Sequence, residues 1–364
     1  MGVRPLTEAD IPQVVDLYWN YMRRRKGPIP QTLFSLFHEL LFVNPFTDSE
    51  LPSLVYEGQG GKVGGFVGRN VRNMSFRGRS IRAVLGGSLV VHPEFRSGLA
   101  VPRLVERFMA TDHDLTVVDS ANNISKNVLE RMGYSVIPAL NIHWRRPLRP
   151  SHYALYGLSV TADSTPVKLL RLAAKPFCSL ADRVAARLPA SPFRHITPRL
   201  HGGELDIQTL LQCMLEFRKG YSLWPEYTAD SLHWLLGFME SRTARGALRK
   251  VMLRDESQKV VGWYIYYVKP GAVGEVVQVG GDQKLTKDIL DHLFWDALHH
   301  GVIGLHGLVD SRRTPDFSDK GCFFTCRGGW VMAHSGDPEM MKLLERGDAF
   351  FTRLDGEWCL DPGD

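Results

Sequence analysis

The chain has 364 residues, 44% of them hydrophobic and 23% charged, with a formal net charge of +5 at pH 7. At roughly 100–200 residues per domain this length asks for two cores, and the near-average composition lets both be buried, which excludes a disordered chain. No run approaches the ~20 apolar residues of a membrane span, the N-terminus lacks the charged-then-apolar pattern of a signal segment, and five scattered cysteines argue against a disulfide framework, so a cytoplasmic protein without a transmembrane segment is expected.

The opening segment Val3–Ile11 reads as a short strand followed by a helix start, with Thr7 or Asp10 as cap and Ile11, Val14, Val15, Tyr18 and Met22 as the apolar stripe. Strands are expected at Ser53–Glu57 and Val63–Val71, joined by the Gly58–Gly61 turn, and a longer one at Ile81–Val91. A helix over Val101–Ala110 follows, then a strand at Leu115–Asp119, a helix over Ile124–Met132 closed by Gly133, and a strand run Ser135–Trp144 interrupted by Pro138. This order describes a mixed α/β domain over residues 1–148.

Residues 149–203 read as a basic, proline-containing linker. Within it Val167–Leu188 has helical apolar spacing, with Lys168, Arg171, Lys175, Arg183 and Arg187 interleaved. Such a basic amphipathic helix can lie on a membrane or receive an acidic partner, but the expectation here is that its apolar face packs on the adjoining domain.

Residues 204–364 repeat the first part in outline. Lys62-Val63-Gly64-Gly65-Phe66 matches Lys259-Val260-Val261-Gly262-Trp263, and Val118-Asp119-Ser120 matches Val309-Asp310-Ser311, in the same order and at nearly the same offset. With a strand at Gly274–Val279, a helix at Lys287–His300 and a strand at Ile303–Asp310, the second half is read as a duplicate domain. Cys322 and Cys326 are the only close pair of cysteines and are read as ordinary thiols, with no metal site.

The most informative stretch runs from Ser88 to Ala100. An apolar strand enters a tight turn, Arg96-Ser97-Gly98, at the start of a helix, where backbone N–H groups face an anion. Neither Gly-x-Gly-x-x-Gly nor Gly-Lys-Ser/Thr is present, so the turn is neither a dinucleotide fingerprint nor a Walker loop.

Here the chain resembles the GNAT acyltransferase family, whose members typically read Val-x-Pro-x-x-Arg-x-x-Gly-x-Gly/Ala at this place. The opening segment and Asn122–Tyr134 are similar to two further family segments, so that the resemblance covers most of residues 3–144. It implies two GNAT-like mixed α/β domains in tandem, the second degenerate, and transfer of an acyl group from acetyl-CoA or another acyl-CoA to an amine of a small molecule or peptide. It further implies that Leu89, Val90 and Val91 line the pantetheine arm, that Arg96, Ser97, Gly98, Leu99 and Ala100 cradle the pyrophosphate, and that Asn122 and Ser125 touch the coenzyme arm. An aminoacyl-tRNA or an acyl carrier protein as donor, and a non-catalytic binding protein of the same fold, stay open as alternatives.

Two departures from the family pattern stand out: the Arg96–Ala100 turn is one residue shorter, and Leu129 stands where the family has a tyrosine that protonates the leaving thiolate. Acyl transfer also needs a base for the ammonium of the acceptor, for which Glu57 and His92 are the candidates. In the second half Asp282 follows the corresponding strand and repels phosphate, so that half is expected to hold no coenzyme. Its aromatic strand Trp263–Tyr267 and the run Tyr221–Tyr227 could line an acceptor cleft, but half of such alternating aromatics usually face a core, and core packing is the favoured reading.

Overall fold

The computed structural model describes residues 2–96, 98–110, 112–161, 165–194, 196–326 and 329–361, the side chains of 159–161 and 165–172 excepted. Its strands are β1 (Gly2–Pro5), β2 (Leu54–Glu57), β3 (Val63–Phe76), β4 (Arg79–Val91), β5 (Leu115–Ala121), β6 (Ser135–Val136), β7 (His143–Pro147) and β8 (His201–Glu204). The rest are β9 (Leu223–Pro225), β10 (Ala247–Arg254), β11 (Val260–Val268), β12 (Val273–Gly281), β13 (Gly304–Leu308), β14 (Phe323–Thr325) and β15 (Trp330–His334).

They form two sheets. The first runs β1-β2-β3-β4-β5-β15-β6, with β9 added beside β3, and the second runs β14-β7-β13-β12-β11-β10-β8. Read from the β1 and β8 edges the two orders correspond strand for strand, and in each the one parallel contact falls at the same place, β4 with β5 and β12 with β13. The repeat in the sequence is therefore a repeat of the fold.

The chain divides into two compact units: Met1–Asn141 with Gly220–Met239 and Gly328–Asp364, and Ile142–Lys219 with Glu240–Arg327. These units cross the linear boundaries expected at 148/149 and 203/204. The expected strand Ser135–Trp144 is broken by the turn Pro138–Leu140 into β6, which stays in the first sheet, and β7, which pairs with β13 and β14 in the second. Conversely β15, from the C-terminal part of the chain, inserts between β5 and β6. Each sheet thus takes one inner strand from the other half of the sequence, a choice made by ladder pairing at long range that local patterns do not encode.

Local patterns do account for the elements themselves. β3 and β4 extend the expected strands into one long hairpin closed at Arg77-Gly78, both with positive φ (50° and 85°), the geometry of a tight hairpin turn. The first helix, Ile11–Leu17, buries Ile11, Val14 and Val15 of the expected stripe and also Leu17; Tyr18 is buried just beyond its end, while Met22 is exposed. No helix among the described residues is long and apolar enough to cross a membrane.

The helix Thr165–Arg187 is present, but its large apolar residues do not pack as expected: Phe177, Leu180, Val184 and Leu188 are 75, 61, 51 and 52% exposed. Leu169 and Leu172, named in the same stripe, lie outside the described side chains.

Candidate active site

β4 and β5 pair only over Ala83–Leu85 and Leu115–Val117; beyond that point both strands continue apart, β4 to Val91 and β5 to Ala121. The parting begins at a bulge. Phe66 pairs with Val90 and Gly68 with Gly87, so Ser88 and Leu89 together oppose Val67 alone, and Ser88 takes a positive φ of 53°. A bulge releases backbone groups from the ladder, and the Ser88 N–H is turned into the gap. The side chains of Val90 and Val91 are buried in two different apolar clusters, which leaves the backbone of this strand as the surface it offers to the gap.

At the far end of β4 the chain makes one helical turn, Pro93–Arg96, and enters the helix Ala100–Met109. Phe95 anchors the turn. Its ring sits over Gly58 and Gly64, where a β-carbon would lie 2.7 Å from it at either position, so both glycines are needed for close approach. Arg96 is exposed and donates through Nε to the Val91 carbonyl at 2.9 Å, while the Gly98 N–H is donated to the Phe95 carbonyl at 3.3 Å. Gly98 is thereby spent within the turn, and the N–H groups of Ala100 and Val101, which head the helix, have no acceptor within it. Ser97 lies outside the described residues.

Asn122 is the N-cap of the helix Asn123–Arg131, its Oδ1 accepting from the N–H groups of Ile124 (2.9 Å) and Ser125 (3.0 Å). Its first task is therefore to cap the helix. Leu129 points into an apolar cluster with Val105, Ala121, Tyr134 and Met332. Tyr134 belongs to the same core, and burial pushes its hydroxyl up to about 12, so neither residue has the exposure or the acidity of a proton donor.

The two expected bases are engaged elsewhere. Glu57 accepts from Arg4 Nε at 2.7 Å, and the same guanidinium holds both oxygens of Asp10 at 2.7 and 2.8 Å. His92 accepts the Glu94 N–H at Nδ1 (3.3 Å) and lies edge-on to Tyr21, with 4.6 Å between ring centroids. It follows the end of β4, four residues beyond Ser88 and about 13 Å from it at strand spacing.

The carboxylate at the bulge comes from the C-terminal segment. Glu357 Oε1 accepts the Ser88 N–H at 2.7 Å, and Oε2 accepts the Ser120 hydroxyl at 2.8 Å, so one side chain bridges β4 and β5 where they part. Asp119 of β5 is its neighbour and accepts the Trp358 N–H at 3.2 Å; its buried Oδ1 has no hydrogen-bond partner among the described residues. Two glycines make room: a β-carbon at Gly87 would lie 2.5 Å from Glu357 Oε1, and one at Gly356 would lie 1.9 Å from Asp119 Oδ2. Burial raises both carboxyls above the usual carboxylate range, and the Asp119 charge lifts Glu357 further, against the hydrogen bonds from Ser120 and Ser88. Nothing around position 357 in the sequence marks it; only the gap does.

The second unit closes the same place internally. A β-carbon at Gly280 would strike the Trp263 ring at 2.2 Å, and Asp282 caps the following turn by accepting the Lys284 N–H at 2.9 Å. Buried Arg313 donates to Thr286 Oγ1 at 2.9 Å and to Asp310 Oδ2 at 3.2 Å, and its Nη2 donates to the Gly281 carbonyl. Trp263, Tyr264, Tyr266 and Tyr267 are wholly buried, contrary to an acceptor-lining role. Their polar ends are satisfied inside the unit, Trp263 on Gln278 (2.7 Å), Tyr264 on His292 (2.9 Å) and Tyr266 on Asp296 (2.7 Å). The run Tyr221–Tyr227 is likewise packed into the first unit, where Trp224 stacks on Phe350 and Tyr227 donates to Asp355. In β11 both faces are covered, where alternation by itself would leave one of them outward.

No protein-family model matches the chain, and comparison with curated proteins finds no relative. Among solved structures it is similar to a probable N-acyltransferase of Enterococcus faecalis V583 (TM-score 0.60, 13% identity, 92% of this chain and 71% of that one). It is also similar to a GCN5-related N-acetyltransferase of Anabaena variabilis ATCC 29413 (0.58, 11%, 92% and 72%). Saccharomyces cerevisiae N-myristoyltransferase, solved with bound myristoyl-CoA, is similar over 91% of this chain and 77% of that one (0.54, 12%). The chain therefore carries the GNAT fold of the N-acyltransferases twice in tandem, with the second copy degenerate.

Proposed function

We propose that this protein is an acyl-CoA-dependent N-acyltransferase, acting on a primary amine of a small molecule or peptide, with acetyl-CoA as the first donor to test. The observation that carries the reading is the β4–β5 gap, which begins at a carboxylate on the Ser88 bulge and ends at an arginine-bearing turn heading a helix. In this reading the backbone of Leu89, Val90 and Val91 binds the pantetheine arm, and Arg96 with the N–H groups of Ala100 and Val101 receives the pyrophosphate, while Gly98 keeps its N–H within the turn. Asn122 and Ser125 border the arm. This direction brings the thioester to the Ser88 end.

Glu357 then stands beside the reacting carbon. It takes one proton from the acceptor ammonium, and the neutral nitrogen attacks the thioester carbon while backbone N–H groups of β4 receive the developing oxyanion. The carbon–sulfur bond breaks, the second proton lost by nitrogen ends on the coenzyme thiolate, and Glu357 returns its proton to water. With Leu129 buried, no side chain is assigned to the thiolate; a thiol pKa of about 8.5 makes it a tolerable leaving group without one.

The test is CoA-thiol release from acetyl-CoA with a panel of primary amines, together with the affinity of the Arg96→Glu variant for acetyl-CoA. Charge reversal should weaken binding at least tenfold, about 1.4 kcal/mol. Unchanged affinity would remove the pyrophosphate assignment, and tight binding with no thiol release on any amine would leave a non-catalytic GNAT fold.

A further inference from the structure

The helix Thr165–Arg187 is turned the wrong way round for a helix that only packs on its own protein. Towards the protein it presents small or polar side chains: Ala174, Cys178, Ala185 and Ala186 are half-buried and Asp182 is buried. Asp182 is held there by His152, with Nδ1 2.6 Å from its Oδ2, and by the N–H of Ser151 at 2.8 Å. The large apolar residues Phe177, Leu180, Val184 and Leu188 face out. At 100° per residue these four fall within about 80° of one another, a single stripe, with Arg187 and Arg183 following on one flank. Both arginines are exposed, as is Lys175.

Scattered exposed apolar residues need no explanation, but a continuous stripe does. The charge around it limits what covers it. From Arg145 to Leu200 the sequence has ten Lys and Arg against two Asp, and the one aspartate with a described side chain is the inward-facing Asp182. The segment that bears the stripe is therefore cationic, and none of its described side chains is an exposed carboxylate. A second copy of this chain would bring the same positive charge against it, so self-association through this face is opposed by repulsion.

We propose that this helix lies on an anionic lipid surface, with Phe177, Leu180, Val184 and Leu188 entering the boundary between headgroups and acyl chains while Arg183 and Arg187 meet the lipid phosphates. The geometry is that of an interfacial helix, apolar side down and basic residues along one margin. Long arginine side chains reach headgroups while their stems lie on the apolar layer, and each cation near an anionic leaflet adds to binding. The chain would then rest on the surface without crossing it, in keeping with the absence of a spanning helix among the described residues. This inference does not rest on the acyl-transfer reading.

The test is co-sedimentation of the full chain with vesicles of phosphatidylcholine alone and of phosphatidylcholine with about 30% phosphatidylglycerol. Binding to the anionic vesicles should exceed binding to the neutral ones at least tenfold and should weaken as salt rises. The double variant Phe177→Ser, Leu180→Ser should lose at least tenfold in vesicle affinity with an unchanged melting temperature, because both residues are already exposed. Arg183→Ser with Arg187→Ser should lose affinity and flatten the salt dependence. Absence of vesicle binding, binding indifferent to phosphatidylglycerol, or full binding by the serine variants would overturn the proposal. So would a lipid-free dimer that the Phe177 and Leu180 substitutions dissociate. A high-affinity acidic protein that binds this face of a chain indifferent to vesicles would do the same.

Discussion

Arg313 reaches the carbonyl oxygen of Gly281 through Nη2 at 2.6 Å, so a cation of the protein itself fills the place in the second unit that corresponds to the Arg96 turn of the first. Titration calorimetry with acetyl-CoA is expected to return one site per chain, and two sites would refute the assignment of the second unit as closed. Arg313→Ala should destabilise the protein by about 3 kcal/mol, because it removes one buried donor from Asp310, Thr286 and the Gly281 carbonyl at once. A loss below about 0.5 kcal/mol in a urea titration would show that the arginine does not hold this region together.

Gly64 is expected to tolerate no side chain. Alanine there would place a methyl 2.7 Å from the Phe95 ring and push the residue that anchors the Arg96 turn. Overpacking of this kind costs about 1–3 kcal/mol, and acetyl-CoA affinity should fall with it. Gly2→Ala, with nothing within 4 Å, serves as the neutral control. A Gly64→Ala protein that melts and binds as the wild type does would show that Phe95 is not set by that glycine.

The pair Glu357 and Asp119 makes a prediction with a sign. Both carboxyls are raised by burial and Glu357 is raised further by its neighbour's charge, so the rate of thiol release should rise with pH through a value above the ordinary carboxylate range. Asp119→Asn removes that negative charge and should move the rising limb to lower pH, a shift that a merely structural role would not produce. Glu357→Gln should lower turnover by about 10²–10⁴ while leaving acetyl-CoA affinity within a few-fold. An unmoved limb in the first variant and a full rate in the second would sink the assignment.

The same groups act on stability in the opposite direction. Because the folded chain binds their protons more tightly than the unfolded chain does, stability falls as pH rises from the ordinary carboxylate range to the raised one. Glu357→Gln should therefore melt higher than the wild type above that window and gain little below it. Equal melting curves across pH would show that the carboxylate is not held at a cost.

Leu129→Tyr is expected to fail as a restored acid. The side chain lies among Val105, Ala121, Tyr134 and Met332, and a larger residue would strain that cluster by about 1–3 kcal/mol rather than reach the gap. A faster thiol release in this variant would mean that position 129 faces the sulfur after all.

Much of this molecule was legible in local patterns. The strand-turn-helix of Ser88–Ala100, the helix closed by Gly133 and the paired segments at Lys62 and Lys259 each depend on residues a few positions apart, and such short-range regularities follow from backbone periodicity and helix-end hydrogen bonding. They were enough for the class of fold, for its repetition and for the placement of the Arg96 turn before a helix. Three features lay beyond them. The exchange of β7 and β15 is a choice among ladder partners far apart in sequence, and any apolar strand can fill either place until the sheets close. The helix Thr165–Arg187 shows two faces in its spacing, but spacing does not say which of them turns inward; small residues against the protein decided that. Glu357 meets Ser88 across 269 positions, and no property of either residue alone announces the other. A bulge frees one N–H, two glycines leave the space, and a carboxylate from the end of the chain enters it, which is a matter of packing and is settled only when the chain is folded.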